Sequence, residues 1–290
     1  MVSEYVGSPA PGSRGADFHD NGFAIRLETE GLVLLPGQPF ALTPDEADLV
    51  SPRWSDGKAK NISLSPAGDV RGAVAEAGVE RRLASLMARY RDWAESLILD
   101  RAPRYAASLE RGRTSLRTRD VAEGAQSRRK DDRRLHIDAF ASQPTGGRRI
   151  LRVFTNVNPQ GEERLWRVGE GFEAHARRWA RRLPRPWPGQ AWLLKLLGVT
   201  RATRTPYDAA MLGLHDAAKL DDAYQRDAPA RDLILPAGAS WIAYTDSAVH
   251  AAMRGRFMLE QTFYLPLEAM AAPDTSPARI LERILGRRLT

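Results

Sequence analysis

Hydrophobic residues recur at helical spacing in part of the chain. Within residues 74–99 they include Val79, Leu83, Leu86 and Tyr90, a spacing of three to four positions that predicts an amphipathic helix. Because one face of such a helix is apolar, we expect it to pack on a sheet and to belong to the hydrophobic core.

The same spacing appears in residues 173–198 and in the terminal residues 276–289, where a Ser-Pro pair marks a helix start. The terminal helix carries an apolar stripe flanked by arginines. The stripe consists of Ile280, Leu281, Ile284 and Leu285. A stripe of this kind packs on its own domain, on a second subunit of a homo-oligomer or on a membrane surface.

Short apolar runs separated by glycine and proline predict strands. Residues 148–161 form one such run, and residues 232–238, 240–246 and 256–267 form others. Residues 28–42 have the pattern of a strand interrupted by Pro-Gly. Several short strands, with helices before and between them, indicate an α+β protein with a β-sandwich or barrel core.

The length of 290 residues suits one enlarged domain. Residues 1–25 are predicted to be a flexible tail, because the first twenty are polar and rich in Gly, Pro and Ser. Residues 26–290 are predicted to form the domain. It would have a helical part at about 70–100, a β-rich core at about 130–268 and a helix at about 276–289.

No signal peptide or membrane-spanning segment is expected. The polar start lacks the apolar stretch of a signal peptide, and the longest apolar run, residues 191–199, is short and interrupted by Lys195. We therefore expect a cytoplasmic protein that contacts a membrane peripherally at most.

The charge pattern favours an anionic partner. The formal net charge is +7, and only five of the 43 basic residues are lysines, whereas arginine is the side chain suited to bidentate pairing with carboxylate and phosphate. A solvated basic surface is the alternative. Both interpretations stay open for residues 101–134, as an anion-binding lid or a connector. They also stay open for residues 173–198, where arginine and tryptophan interleave as at a membrane or nucleic-acid surface.

Three residues suggest a metal centre built from nitrogen and oxygen ligands, since the chain has no cysteine. His136 and Asp138 lie two apart, a spacing that directs both side chains to one side of an extended strand. With His250 they form an H-x-D…H set, the two-histidine, one-carboxylate triad that binds non-haem Fe(II). His175 and His215 lie in helical patterns, where we expect an exposed and a structural histidine respectively.

Four longer runs resemble the Kdo 3-hydroxylase family. They are KNISLSP (60–66), HIDAFASQPTGGRRILRVFTNVNPQGEERLWRVGEGFE (136–173), LHDAAKLDDAYQ (214–225) and YTDSAVHAAMRGRFMLEQTFYLP (244–266). The resemblance extends from about residue 31 to residue 289, in the family's order. It implies a double-stranded β-helix, or jelly-roll, core at about 130–268.

The resemblance also implies a reaction. The enzyme would use Fe(II), 2-oxoglutarate and O2 to hydroxylate carbon 3 of Kdo, a 3-deoxy sugar acid, on Kdo-lipid A precursors, giving Ko and releasing succinate and CO2. Such precursors lie in the cytoplasmic leaflet of the inner membrane, which suits a signal-less protein with a peripheral membrane contact. His136, Asp138 and His250 would be the metal ligands.

Arginines near these ligands are candidates for binding the anionic cosubstrate and substrate. Arg152 alternates with apolar residues on the strand after the H-x-D pair, so it can point into the barrel, where a buried guanidinium needs an anion. Arg164 and Trp166 lie two apart and share a strand face, and Arg117 precedes the best-matching run. The resemblance implies that these arginines clamp the two anions, without dividing the anions among them. Surface roles are predicted for two others, Arg254 and Arg256.

Other functions remain as alternatives. The same centre could oxidise another anionic sugar or small molecule, or a jelly-roll could bind an anionic sugar without turnover. The complete ligand triad argues against the latter. A nucleic-acid-binding protein is disfavoured, because no helix-turn-helix, RNP or zinc pattern accompanies the basic residues.

Overall fold

The structure is a computed structural model that describes residues 3–4, 16–123, 126–183, 187 and 189–290. Eleven strands and eight α-helices lie in this described part. The strands are β1 (Ser3–Glu4), β2 (Leu32–Leu35), β3 (Ile62–Leu64), β4 (Val70–Arg71), β5 (Glu110–Arg117), β6 (Arg149–Asn156), β7 (Arg164–Val168), β8 (Arg231–Leu235), β9 (Ser240–Tyr244), β10 (His250–Arg254) and β11 (Met258–Leu265). The helices are α1 (Ala16–Glu30), α2 (Pro44–Ala47), α3 (Val79–Leu99), α4 (Phe172–Trp179), α5 (Gln190–Leu196), α6 (Pro206–Leu220), α7 (Asp222–Asp227) and α8 (Pro277–Leu285).

The strands form two sheets. The larger has the order β1-β2-β9-β6-β11-β5-β3-β4 and the smaller the order β10-β7-β8. Neighbouring strands are antiparallel except β1 and β2. The strands predicted in residues 148–161, 232–238, 240–246 and 256–267 are confirmed as β6, β8, β9 and β11, and the α+β class with a jelly-roll core is confirmed as well.

Aromatic side chains fill the space between the two sheets. Phe154 of β6 and Trp241 of β9 stack with ring centroids 5.1 Å apart, and Trp166 of β7 meets both rings edge-on at 5.0 and 5.2 Å. Large rings bury much apolar area at a small entropic cost, and edge-on geometry suits their quadrupoles. This cluster fixes β7, which carries Arg164 and Trp166, against the larger sheet.

Helix α3 covers part of the larger sheet, as the spacing in residues 74–99 predicts, although it begins only at Val79. Leu83, Leu86 and Tyr90 are fully buried in the cluster that also contains Leu259 of β11. The Tyr90 hydroxyl lies 3.2 Å from two backbone carbonyl oxygens of the sheet, so it keeps a hydrogen-bond partner in the core.

The predicted tail, residues 1–25, is corrected in its second half. Residues 1–2 and 5–15 lie outside the described residues, but residues 16–25 belong to α1. Phe23, Ala24 and Leu27 of this helix are buried against the sheet, in a cluster with residues of β2 and β9. Burial of these three side chains stabilises a helix whose sequence has little amphipathic character.

The prediction that residues 101–134 form a lid or a connector is partly wrong. Residues 110–117 form β5, which pairs with β11 and β3. Its first half is mostly exposed and its last four residues are buried, so charged residues on the exposed half hide the strand pattern. Within residues 173–198, of which 184–186 and 188 lie outside the described part, the structure has two helices, α4 and α5, with a short 3-10 turn after the first.

The predicted terminal helix is confirmed as α8, and it packs on α4. Ser276 caps its start by accepting a hydrogen bond from Arg279 N (3.3 Å). Ile280 and Leu281 are buried in one cluster with Trp179 of α4, and the remaining two residues of the stripe pack on the same cluster. The apolar stripe packs within the chain, which is the first of the three possibilities that its pattern left open. No helix of the described chain is both long and apolar enough to cross a membrane.

Candidate metal centre

The metal ligands meet because a short stretch of backbone pairs with β10 and the turn before it. His136 and His250 exchange two backbone hydrogen bonds, of 3.0 and 2.8 Å, and Asp138 N donates to Thr245 O at 2.7 Å. The strand predicted around the H-x-D pair is therefore a single β-bridge. The chain is still extended there, so His136 and Asp138 point to the same side.

The histidine rings are oriented by backbone carbonyls. Nδ1 of His136 lies 2.6 Å from Arg134 O, and Nδ1 of His250 lies 2.8 Å from Ala248 O. A carbonyl oxygen can only accept, so Nδ1 carries the proton in both rings and the lone pair of Nε2 faces the centre. One ligand atom from each of His136, Asp138 and His250 lies within 4.8 Å of the others.

The carboxylate ligand is held from behind by Arg152. Nη2 of Arg152 lies 3.3 Å from Oδ2 of Asp138, and its Nη1 lies 3.0 Å from Oε1 of Glu260 on β11. Arg152 does point into the barrel, as predicted. Its guanidinium there is already paired with two carboxylates of the chain itself.

Burial and charge set the protonation of the three ligands. Burial, together with the neighbouring His250, holds the pKa of His136 well below its ordinary value, and burial also lowers the pKa of His250. For Asp138, burial alone raises the pKa, but Arg152 and the two histidines outweigh it and the pKa is lowered. Two neutral imidazoles and one ionised carboxylate are the donor set that Fe(II) uses in such triads, so the residues present fit the metal.

A cavity opens on these ligands. Trp166 forms one wall, and its ring stacks on His250 with centroids 5.1 Å apart and planes 17° apart. Arg152, Arg164 and Arg117 also line the cavity. All the candidate site residues that the sequence suggested are thus brought to one place.

Arg164 differs from the other two arginines in having no anionic partner. It is fully buried, and Nη1 donates to the backbone oxygen of Arg256 at 3.1 Å, while Nε and Nη2 have no hydrogen-bond partner in the described chain. Burial and the nearby Arg117 lower the pKa of Arg164 to about 9. Arg117, in contrast, pairs with Asp132 at 2.9 Å.

A wider basic mouth connects the cavity to solvent. It shares Arg117, Asp132, His136 and Asp138 with the cavity and is bordered by residues of the 118–134 segment. The remaining cationic residues at its rim are Lys58, Lys60, Arg119, Arg129, Lys130 and Lys219. Part of the basic segment that was predicted to be a lid or a connector therefore lies beside an opening that would attract an anion.

Two features around the centre had no clear signal in the sequence. Arg149 and Asp246 form a fully buried ion pair, with Nε to Oδ2 at 2.8 Å and Nη2 to Oδ1 at 3.1 Å, and Nη2 also bonds to Ser247 Oγ. This pair fixes β6 to the turn that leads to His250. Gln225 of α7 bonds to both backbone groups of Leu135, at 2.7 and 2.9 Å, and so replaces a missing strand partner beside the H-x-D pair.

The predictions for the remaining histidines and arginines are mixed. His175, expected to be exposed, is fully buried, because its ring packs between Trp179 and Tyr224 and Nδ1 lies 3.2 Å from the Tyr224 hydroxyl. His215 is a structural histidine as expected: it bonds to Asp216 and packs on the His136 ring. The surface roles of Arg254 and Arg256 are confirmed, since each pairs with an exposed glutamate.

Comparisons with known proteins agree with this site. Residues 15–288 match the family described as 3-deoxy-D-manno-oct-2-ulosonic acid (Kdo) hydroxylase. The chain is similar to the apo structure of the Kdo hydroxylase KdoO, described as a non-haem Fe(II) α-ketoglutarate-dependent dioxygenase. The TM-score is 0.92 and the identity 38%, over 99% of this chain and 97% of that one.

Two further structures of that hydroxylase contain ligands. The complex with α-ketoglutarate and Fe(III) has a TM-score of 0.92 and 37% identity, over 100% of this chain and 97% of that one. The complex with succinate and Fe(III) has a TM-score of 0.91 and 37% identity, over 99% and 97% of the two chains. No curated protein matches the chain.

Proposed function

The chain belongs to the Kdo hydroxylase family, and we propose on that basis that it is a non-haem Fe(II)/2-oxoglutarate-dependent dioxygenase that hydroxylates Kdo. The observation that carries this function is the convergence of His136, Asp138 and His250 with both Nε2 atoms freed for a metal. When bound, the iron with 2-oxoglutarate and O2 supplies the oxidising chemistry, and the protein supplies orientation and a dry site.

His136, Asp138 and His250 would hold the iron, and the coordination positions that they leave open would take cosubstrate and O2. No fourth His, Cys, Asp or Glu joins the cluster in the part of the chain that the structure describes. Arg152 acts on Asp138: it holds that carboxylate ionised and in place, and Glu260 holds Arg152 in turn. We therefore assign Arg152 a positioning role.

We assign the far carboxylate of 2-oxoglutarate to Arg164. A buried guanidinium without a counter-ion is unfavourable, and the unpartnered Nε and Nη2 of Arg164 can make the bidentate contact that a carboxylate accepts. Trp166, two residues along β7, provides a flat apolar wall beside it. Arg117 lines the same cavity and continues into the mouth, where it can meet the carboxylate of the sugar acid.

Replacing Arg164 with alanine is expected to weaken 2-oxoglutarate binding roughly 10- to 150-fold, the size of one charge-assisted hydrogen bond. Arg164→Lys restores only part of the affinity, because an ammonium cannot present two parallel donors. Anaerobic titration of the Fe(II)-loaded enzyme with 2-oxoglutarate, followed by the visible charge-transfer band of the chelate, measures both. Arg254→Ala, an exposed arginine, is the control. Unchanged affinity in Arg164→Ala contradicts the assignment.

Gly255 leaves the space that the side chain of Arg164 occupies. A Cβ at this position would lie 2.6 Å from Cγ of Arg164, and the backbone φ of +127° is one that other residues rarely adopt. Gly255 N also donates to Asp120 Oδ2 at 3.0 Å. The turn between β10 and β11 is thus shaped around the arginine that we assign to the cosubstrate.

Gly255→Ala is expected to raise the KM for 2-oxoglutarate roughly 10- to 100-fold, with a much smaller change in kcat, because it displaces Arg164 rather than the metal ligands. The matched control is Gly238→Ala, which imposes a similar backbone strain (φ +83°) but meets only Pro39 at 3.8 Å. Equal losses in the two variants would mean that backbone strain alone is responsible.

The hydroxylated carbon and the lipid that carries Kdo are the finer points of the proposal. We propose that Kdo is hydroxylated at carbon 3 while attached to a lipid A precursor, with succinate and CO2 as co-products. The carboxylate of Kdo and the phosphates of lipid A are anions that suit the mouth lined by Arg117, Lys60 and Arg129. Because such precursors are built at the cytoplasmic face of the inner membrane, we propose that the protein works there, bound peripherally.

Two measurements test this function. Fe(II) and 2-oxoglutarate together should give the charge-transfer band under anaerobic conditions, and Kdo-lipid A should gain one oxygen atom by mass spectrometry when O2 is admitted. A band without oxygen transfer to Kdo-lipid A, but with transfer to another anionic sugar, favours the alternative substrate. Binding of sugar without a band favours the non-catalytic alternative.

A further inference from the structure

An apolar surface without a partner lies on helix α5 and the turns beside it. It consists of Trp187, Trp192, Leu196, Leu197 and Val199, which are between 51 and 66% exposed, and we call it the α5 patch. Eight large hydrophobic residues are exposed in the described part of the chain, and five of them are in this patch. Single exposed hydrophobics are ordinary, but such a concentration marks an interaction surface.

Helix α5 does not contribute a buried residue to the core. Short helices in globular proteins are normally held by an apolar face packed inward. In α5 the large side chains of Trp192 and Leu196 face outward instead. The helix therefore has the composition of a buried element and the placement of a surface element, which indicates that something outside the described chain covers it.

The α5 patch adjoins the basic mouth of the metal cavity. A groove separates α5 from α6 and is lined by apolar residues such as Leu194, Ala209 and Leu212. The groove reaches Asp216, whose carboxylate pairs with Arg129 at 3.0 Å. Arg129 itself borders the mouth. The apolar groove, which Trp187 of the patch lines, and the cationic mouth therefore both border helix α6.

This combination matches the surface of an anionic bilayer. Tryptophan is favoured at the membrane interface, leucine below it, and lysine and arginine beside the lipid phosphates. The basic residues at the rim of the mouth, including Lys58, Arg119 and Lys130, would each add attraction to anionic headgroups.

The arginines of the neighbouring helix do not compete for this function. Arg177 and Arg178 of α4 pair with Glu173 and Glu170, and Arg182 pairs with Asp221. Trp179 is buried. The interleaved arginines and tryptophans thus fall on two different helices in the described chain. Helix α4 is solvated and its arginines are ion-paired, whereas helix α5 is apolar.

We propose that the α5 patch docks on an anionic lipid bilayer and holds the mouth of the metal cavity over the headgroups. The proposal rests on the proposed function only in that the substrate is carried by a lipid. It gives the peripheral contact a definite place, on α5 rather than on α8 or α4. A headgroup near Lys60 and Arg129 would then be close to the metal while its acyl chains stay in the membrane.

Co-sedimentation with lipid vesicles tests the docking. Vesicles of phosphatidylcholine with phosphatidylglycerol should bind the full chain more strongly than phosphatidylcholine alone, and binding should weaken as salt rises. The double variant Trp192→Ser/Leu196→Ser should lose at least about tenfold in partition coefficient, because two large apolar side chains no longer leave water. Ile234→Ser is the matched control, since Ile234 is 59% exposed on β8, outside the patch.

The results of these measurements distinguish docking on a bilayer from contact with a second copy of the chain. Equal vesicle binding by wild type and the double variant, or no binding by either, overturns the proposal. A dimer by light scattering that the double variant converts to a monomer also overturns it, in favour of a second copy of the chain. The Fe(II)/2-oxoglutarate band is recorded for each variant: patch-dependent vesicle binding without the band would defeat the proposed function and leave the docking intact. The band without vesicle binding would support the proposed function and overturn the docking.

Discussion

Replacing Asp138 with alanine is expected to abolish 2-oxoglutarate consumption coupled to substrate. The loss should exceed the roughly 10- to 100-fold that removal of a supporting residue costs, because a direct ligand is removed. The fold should survive, since Arg152 keeps Glu260 as a partner at 3.0 Å and the backbone bond from residue 138 to Thr245 does not need the side chain. Succinate release measures the activity, and circular dichroism measures the fold.

The control for this variant is Asp232→Ala. Asp232 is an exposed aspartate on β8, paired with Arg167 and separated from β10, the strand of His250, by strand β7, so its loss should leave activity almost unchanged. Alanine at His136 or His250 should reproduce the effect of Asp138→Ala. Turnover near the wild-type rate in Asp138→Ala would show that the ligand set has been assigned wrongly.

The largest loss of stability is expected on breaking the buried ion pair behind the centre. Arg149 and Asp246 are 0 and 1% exposed, and burial raises the pKa of Asp246 although Arg149 opposes that shift. Asp246→Ala leaves the guanidinium buried without a counter-ion, which should lower the free energy of unfolding by about 3–5 kcal/mol. Urea unfolding of the metal-free protein measures the change.

A double variant distinguishes charge from packing. Arg149→Met with Asp246→Leu removes both charges and keeps most of the volume, so it should recover most of the lost stability. Asp232→Ala serves again as control, because an exposed pair contributes about 0–1 kcal/mol. A loss below about 1 kcal/mol in Asp246→Ala would mean that water reaches Arg149 and replaces the carboxylate.

Several parts of the fold follow from local pattern. Helix α3 and the strands β6, β9 and β11 have apolar residues at the spacing of their own secondary structure, so their sequences predict them. Strand β5 is different: its exposed half carries Glu110, Arg111 and Arg113, and pairing with β11 and β3 stabilises it. Helix α1 is likewise stabilised by burial of Phe23 and Leu27 rather than by its own pattern.

The candidate metal ligands and the family can be predicted from the sequence alone. The H-x-D spacing acts through the alternation of an extended chain, which is a local property, and the ligand chemistry depends only on residue type. The terminal helix and its apolar stripe were likewise readable from spacing alone.

The partners of the arginines, and the apolar surface that stays exposed, depend on the tertiary structure. Arg152 and Arg164 look alike in sequence, but Arg152 meets Asp138 and Glu260 across the barrel, while Arg164 meets no carboxylate among the described residues. The stripe of α8 is covered by α4, whereas α5 stays exposed. Ion pairing and burial join residues that are far apart in the chain, so no local pattern contains them.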